Sequence, residues 1–122
     1  MSVVVVTGSG GLIGSEAALF YGAAGYKIIG IDNDMRKYFF GEMSSTRWNR
    51  ERIKKILGNQ YMHEEADIRN WERISKIFAE YKHEIVLVVH AAAQPSHDWA
   101  AKEPFTDFSI NANGTLVMLE AT

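Results

Sequence analysis

The sequence predicts an α/β fold built on a parallel, doubly wound sheet. Three observations predict it. Short β-branched and aliphatic runs alternate with segments of helical periodicity, a glycine-rich turn joins the first run to the first helix, and the second run ends in an acid, Asp32. Strands alternating with helices of suitable length form right-handed βαβ units. Four strands connected in this way take the spatial order 3-2-1-4.

The elements follow in order. Val3–Thr7 is short, continuous and β-branched, which suits a central strand covered on both faces. After the glycine turn, residues 12–24 read as a helix with Ile13, Ala17, Phe20 and Ala24 on one stripe, stopped by Gly25. Lys27–Asp32 is the second strand. Residues 33–45 read as polar and irregular, with an aromatic patch at Tyr38, Phe39 and Phe40. Residues 46–57 form a helix with Asn49, Ile53, Ile56 and Leu57 inward, closed by Gly58. Residues 60–63 are a short third strand leading to Ala66-Asp67-Ile68. Trp71–Tyr81 is amphipathic, with Trp71, Ile74, Ile77, Phe78 and Tyr81 at helical spacing and Asn70 as its N-cap. Residues 84–90 read as a fourth, buried-type strand and 91–104 as a loop. Residues 107–122 are helical, with Phe108, Ala112, Thr115, Leu116 and Leu119 on one side. That last helix calls for a further strand, so the sheet reads as the incomplete first part of a Rossmann-type domain.

Composition narrows the function classes. Thirteen Lys and Arg against 15 Asp and Glu give a formal net charge of −2, so nucleic acid and anionic membranes are not expected partners. The chain has no cysteine, which excludes disulfides, thiolate metal sites and thiol nucleophiles. No apolar run approaches the roughly 18 residues of a transmembrane helix, and the run before Gly8 is not a signal peptide. A cytoplasmic location fits this composition. His63 and His90 show no metal-ligand spacing. Trp48, Trp71, Phe78 and Tyr81 are expected in a helix-on-sheet core rather than on a base-stacking platform.

The strongest chemical signal is Thr7-Gly8-Ser9-Gly10-Gly11-Leu12-Ile13-Gly14. Glycines 8, 11 and 14 let the backbone approach a pyrophosphate, and the helix starting at Leu12 and Ile13 turns free N–H groups toward it. Glycine spacing alone is weak evidence and also fits a plain turn, but its place between a strand and a helix is the dinucleotide-binding context. Asp32 lies about 18 residues past Gly14, where a carboxylate accepts from both adenosine ribose hydroxyls and repels a 2′-phosphate. NAD is therefore expected over NADP. Arg36, Lys37 and the basic residues 47–55 argue weakly for a phosphate, the later ones reading better as a solvated helix face. Asp67 fits either an acceptor for the adenine amino group, with Ile68 over the ring, or a helix-start acid. The small residues Ala91, Ala92 and Ala93 permit close approach of a cofactor or simply tight packing. Gln94, Pro95, Ser96, His97, Asp98 and Trp99 make a polar loop at the carboxyl end of the sheet, with His97 a substrate contact, a base or an ordinary loop residue. Asn111, inside an apolar helical stripe, must use its amide on a cofactor or a backbone.

These residues together resemble the extended short-chain dehydrogenase/reductases of the NAD-dependent epimerase/dehydratase kind. The carriers are the glycine turn, Asp32, Asp67-Ile68, His90-Ala91-Ala92-Ala93 and Asn111-Ala112-Asn113-Gly114-Thr115-Leu116, spread over the whole chain. Segments 33–41, 45–49 and 94–99 are similar to the branch that epimerises CDP-linked sugars. The resemblance implies that Gly8, Gly11 and Gly14 shape the pyrophosphate site and that Asp32, with Asn33 and Arg36, takes the adenosine ribose. It implies that Asp67 and Ile68 hold adenine, that Ala91, Ala92 and Gln94 line the nicotinamide side, and that Asn111 shapes the cofactor site. Ser96 and His97 would approach the sugar.

The implied reaction is NAD-dependent epimerisation of a nucleotide sugar, such as CDP-paratose or CDP-tyvelose at C2 through a 2-keto sugar, in a longer protein, with a homo-oligomer among the expected assemblies. A 4-epimerase, a 4,6-dehydratase and a non-catalytic NAD-binding module are the competing expectations. The family's Ser or Thr after strand five and its Tyr-x-x-x-Lys pair are absent from these 122 residues, since no tyrosine has a lysine four positions on. No catalytic residue is therefore assigned here, and the remaining catalytic and substrate-binding parts are expected beyond Thr122.

Overall fold

The computed structural model describes residues 1–122. Four strands, β1 (Val3–Thr7), β2 (Lys27–Asp32), β3 (Tyr61–Glu65) and β4 (Ile85–His90), form one parallel sheet in the order β3-β2-β1-β4. The helices are α1 (Leu12–Ala23), α2 (Met35–Phe40), α3 (Arg47–Leu57), α4 (Trp71–Tyr81), α5 (His97–Lys102), α6 (Pro104–Phe108) and α7 (Gly114–Ala121). No helix is long and apolar enough to cross a membrane.

Alternation along β1 divides the core. Val3 and Val5, with Ile29 and Ile31 of β2, face Ile74, Ile77, Phe78 and Tyr81 of α4, together with Ile110 and Met118. Val4 and Val6, with Ile28 and Tyr61, face Ala18 of α1 and Ile53 and Leu57 of α3. This is the two-sided cover that a parallel sheet requires. β4 departs from the buried strand read from its sequence. It lies at the sheet edge, with Val86 58% exposed, because no further strand lies beside it.

Several helix faces also differ from expectation. In α1 the buried residues are Gly14, Ser15, Ala18 and Gly22, while Ile13 and Phe20 are 67% and 69% exposed. The cause is proximity. A Cβ at position 22 would come within 2.6 Å of Leu57, so only the small-residue stripe can approach α3. In the last segment Ile110, Gly114 and Met118 turn inward, and Phe108, Leu116 and Leu119 face out. A Cβ at position 114 would meet Ile68 at 2.5 Å, so Gly114 selects that face. The segment begins earlier than expected, at Pro104, and passes through a wide π-type turn at Ser109–Asn113. Ile56, Trp48 and Trp71 are likewise exposed rather than in the core. Segments 33–45 and 91–104, read as irregular, contain α2 and α5.

Candidate functional site

The carboxyl ends of β1, β2 and β4 open on a cavity of about 330 Å³, within the roughly 300–1,000 Å³ range of small-molecule sites. Gly8, Gly11, Leu12, Ile13, Gly14, Asp32, Asn33, Arg36, Asp67, Ile68, Ala91 and Ala92 all line it. Of the candidate cofactor residues, only Gln94 and Asn111 lie outside its wall.

The glycine turn is built by close approach. Gly8 has φ +66°, and a Cβ there would lie 2.8 Å from the Ala92 nitrogen. A Cβ at Gly14 would lie 2.0 Å from the Gly8 carbonyl oxygen, so α1 can seat against the turn only with glycine at that position. α1 starts after Gly11 with no side-chain cap and no acid in its first turn. The amides of Leu12, Ile13 and Gly14 find no acceptor within the chain, which leaves three donors at the positive end of the helix dipole beside the cavity. A buried Asn49 secures the turn from behind, donating from Nδ2 to the Gly10 carbonyl at 2.9 Å.

Asp32 closes β2 with both oxygens oriented. Oδ2 accepts from the Gly10 amide at 2.9 Å and Oδ1 from the Asp34 amide at 2.6 Å. Asp34 is the one non-glycine residue with positive φ, at 58°. Its carboxylate accepts from Ser45 Oγ, the Thr46 amide and Thr46 Oγ1. Burial opposes ionisation of Asp34, but these bonds and the nearby Lys37 outweigh it and hold its pKa below the ordinary value. Asn33 and Arg36 line the cavity with no hydrogen-bond or carboxylate partner, Arg36 lying over the Phe40 ring.

Asp67 is partly occupied. Arg69 donates to it from Nε at 2.9 Å and Nη2 at 2.5 Å and reaches Ser109 with Nη1. Burial works against the charged form of Asp67, and the Arg69 bonds and charge overcome it, lowering its pKa. Ile68 is buried beside it at the cavity wall.

The wall after β4 is held by a hydrogen-bond chain. The Ala92 amide donates to Thr7 Oγ1 at 3.1 Å, and Thr7 Oγ1 is 2.7 Å from His90 Nδ1. His90 Nε2 is 3.3 Å from Thr115 Oγ1, which donates to the Asn111 carbonyl at 2.6 Å. Asn111 answers across the gap, accepting from the Gln94 amide at 2.8 Å and donating to the Gln94 carbonyl at 3.0 Å. Asn111 thus uses its amide on a backbone, one of the two uses expected of it. Gln94 is buried, donating to Ser96 O and Asp107 Oδ1, so it shapes the loop from behind. Ser96 caps α5, and the exposed His97 lies outside the cavity wall.

Thr7, Asp34, Thr46 and Asn49 are not legible as site residues in the sequence. Their roles depend on contacts distant along the chain, although the Asp34-to-Thr46 spacing flanks a helix start. Phe39, Phe40, Met35 and Ile110 add apolar wall. No group of three or more His, Asp or Glu is placed to hold a metal ion.

The chain is 33% identical over 118 residues to a UDP-glucose 4-epimerase of Drosophila melanogaster, covering 97% of this chain and 33% of that protein. It is 32% identical over 119 residues to a CDP-paratose 2-epimerase of Salmonella typhi, covering 97% and 32% respectively. Among solved structures it matches a UDP-glucose 4-epimerase from Stenotrophomonas maltophila with bound NAD and formylated UDP-arabinopyranose. The TM-score is 0.77 at 30% identity, with 99% of this chain and 33% of that one covered. The chain therefore spans about a third of the length of the curated relatives it matches. Residues 4–122 match the family described as "NAD dependent epimerase/dehydratase family", and the chain belongs to that family.

Proposed function

We propose that residues 1–122 form the first part of the NAD-binding domain of a nucleotide-sugar epimerase and supply most of its cofactor site. One observation carries the reading: the unclaimed amides of Leu12, Ile13 and Gly14 share a cavity with the Asp32 carboxylate. Three amides at a helix start suit a pyrophosphate. Each Asp32 oxygen accepts one backbone amide and keeps a lone pair for a ribose hydroxyl. Its charge disfavours a 2′-phosphate, which selects NAD over NADP. Asn33 and Arg36, both unpaired, contribute to the ribose end. Asp67 and Ile68 take the adenine. Ala91 and Ala92, pressed against Gly8, keep the nicotinamide side free of bulk, with Gln94 and Asn111 fixing that loop from behind.

When bound, NAD supplies a hydride acceptor and donor. The residues of this chain bind and orient it and exclude water from its adenosine half. The finer reading is a CDP-linked sugar epimerised at C2, as in CDP-paratose and CDP-tyvelose. A 4-epimerase acting on a UDP-sugar is the second reading, supported by relatives of the same degree of identity.

Calorimetric titration with NAD+ and NADP+, with Asp32→Ala alongside, tests the cofactor site. NAD+ binding that weakens in the variant is expected. No binding by a folded chain would count against an autonomous cofactor site. Product analysis of the full-length protein supplied with CDP-paratose or UDP-glucose distinguishes the two substrate readings, and NAD binding without turnover of either would favour a non-catalytic module.

A further inference from the structure

Two segments that follow the strands flanking β1 meet beside the cavity, both on the α4 face of the sheet. α2 follows β2 and lends Met35, Arg36, Phe39 and Phe40 to the cavity wall. α5 follows β4 and touches the cavity only through the preceding loop, at Ala93 and Pro95. Their junction is Trp99. Its indole Nε1–H donates to the Phe39 carbonyl at 2.7 Å, and its ring meets the Phe39 ring edge-on at 5.4 Å between centroids. Tyr38 adds a second ring at 5.9 Å and reaches Glu103, one residue past α5, with its hydroxyl. Lys102 lies 5.5 Å from the Trp99 centroid, over its ring.

α2 is anchored at few points, chiefly Phe39 in the core facing α4 with Met35 packed beside it. It is six residues long, begins after a left-handed Asp34 without a side-chain cap and ends at Gly41 with φ +89°. A helix that short has no stability of its own. Phe39 is its one buried residue, so the Trp99 contact bears on the residue that fixes the segment.

We propose that Trp99 is a positioning residue for the cofactor site, clamping α2 across the cavity and so setting how slowly a bound dinucleotide leaves. The proposal rests on the NAD reading above. A dinucleotide packed against Met35, Arg36 and Phe39 would leave faster when α2 lifts, and lifting it breaks the indole hydrogen bond and separates the Phe39 and Trp99 rings. Trp99→Phe removes the N–H donor and keeps a ring. Trp99→Ala removes both.

The experiment follows NADH release from the full chain by stopped-flow fluorescence, with NAD+ in excess as the chase. Release is expected to quicken about fivefold in Trp99→Phe and about thirtyfold in Trp99→Ala, while association changes much less. Amide exchange of residues 37–41 in the ligand-free chain should quicken in the same order, with α4 unchanged. Equal release rates in all three proteins, or a loss of affinity carried by slower association alone, would overturn the clamp. If the unaltered chain binds neither NADH nor NAD+, the cofactor reading itself fails. If it binds both and Trp99→Ala releases NADH at the unaltered rate, the clamp alone fails.

Discussion

Thr7 Oγ1 lies 2.7 Å from His90 Nδ1, and the bonds around the pair fix where its protons sit. Thr7 Oγ1 accepts from the Ala92 amide and has its own hydrogen available for His90 Nδ1. Thr115 sends its hydrogen to the Asn111 carbonyl and accepts from His90 Nε2. His90 is therefore the neutral Nε2–H tautomer, bridging the end of β1 to the helical segment behind the cavity. Thr7→Val keeps the shape of Thr7 and removes the bridge, leaving the Ala92 amide unpaired. The expected cost is about 1–3 kcal/mol in denaturant unfolding, with weaker NAD+ binding. Thr7→Ser should restore both, and a Thr7→Val chain as stable as the unaltered one would refute the assignment.

The same tautomer carries a pH dependence. Burial of the ring's inner side lowers the His90 pKa below its ordinary 6.5. The sign follows from proton counting. Between the folded and unfolded values the unfolded chain binds more protons, so stability rises with pH there. The His90 contribution is complete above about pH 6.5 and is lost as pH falls through the folded value. The outer edge of the ring is solvated, so the slope is shallow. Melting temperature measured from pH 7.5 down to 5 should fall less steeply in His90→Gln than in the unaltered chain. Identical slopes would remove His90 from the account.

Two glycines with opposite surroundings should respond oppositely. Gly14→Ala drives a methyl to within 2.0 Å of the Gly8 carbonyl oxygen, and no rotation relieves a backbone clash. It should abolish NAD+ binding and destabilise by several kcal/mol, because α1 must leave the glycine turn. Gly25 ends α1 at φ +97°, and a methyl at that position would have nothing within 4 Å. Gly25→Ala should cost only about 1 kcal/mol of left-handed strain and leave NAD+ binding intact. Calorimetry and thermal unfolding of the two variants check both halves.

The features legible in the sequence are those set by local pattern. Strand order, the glycine turn, Asp32 at the end of β2 and the Asn70 cap each follow from a short stretch of residues. The helix faces of α1 and of residues 104–121 differ from the sequence pattern for one shared reason. Large apolar residues such as Ile13, Phe20 and Leu116 mark a buried stripe only where space allows, and here Gly14, Gly22 and Gly114 take the inner face because their neighbours stand too close for a side chain. α2 escapes detection because its single buried residue, Phe39, gives no periodicity, and it is held by Trp99, 60 residues away. Gln94 and Asn111 are cofactor candidates in the sequence, yet the structure sets both outside the cavity wall, where their mutual bonds brace the loop after β4.

Asn49 extends that reasoning to a residue that the sequence marks only as the inner face of α3. Its Nδ2 donates to the Gly10 carbonyl, and its Oδ1 accepts from Arg52 Nε at 2.9 Å. The side chain is buried, so truncation leaves a carbonyl of the glycine turn without its donor. Asn49→Leu keeps most of the volume and isolates the lost bond from any cavity. It should destabilise by about 1–3 kcal/mol and also weaken NAD+ binding, because the Gly10 amide on the far side of the same turn orients Asp32. Asn49→Asp removes the donor while retaining shape, and it places a negative charge against the carbonyl, so it should be at least as damaging. If both variants lose stability while NAD+ affinity stays unchanged, Asn49 supports the fold without supporting the geometry of the turn.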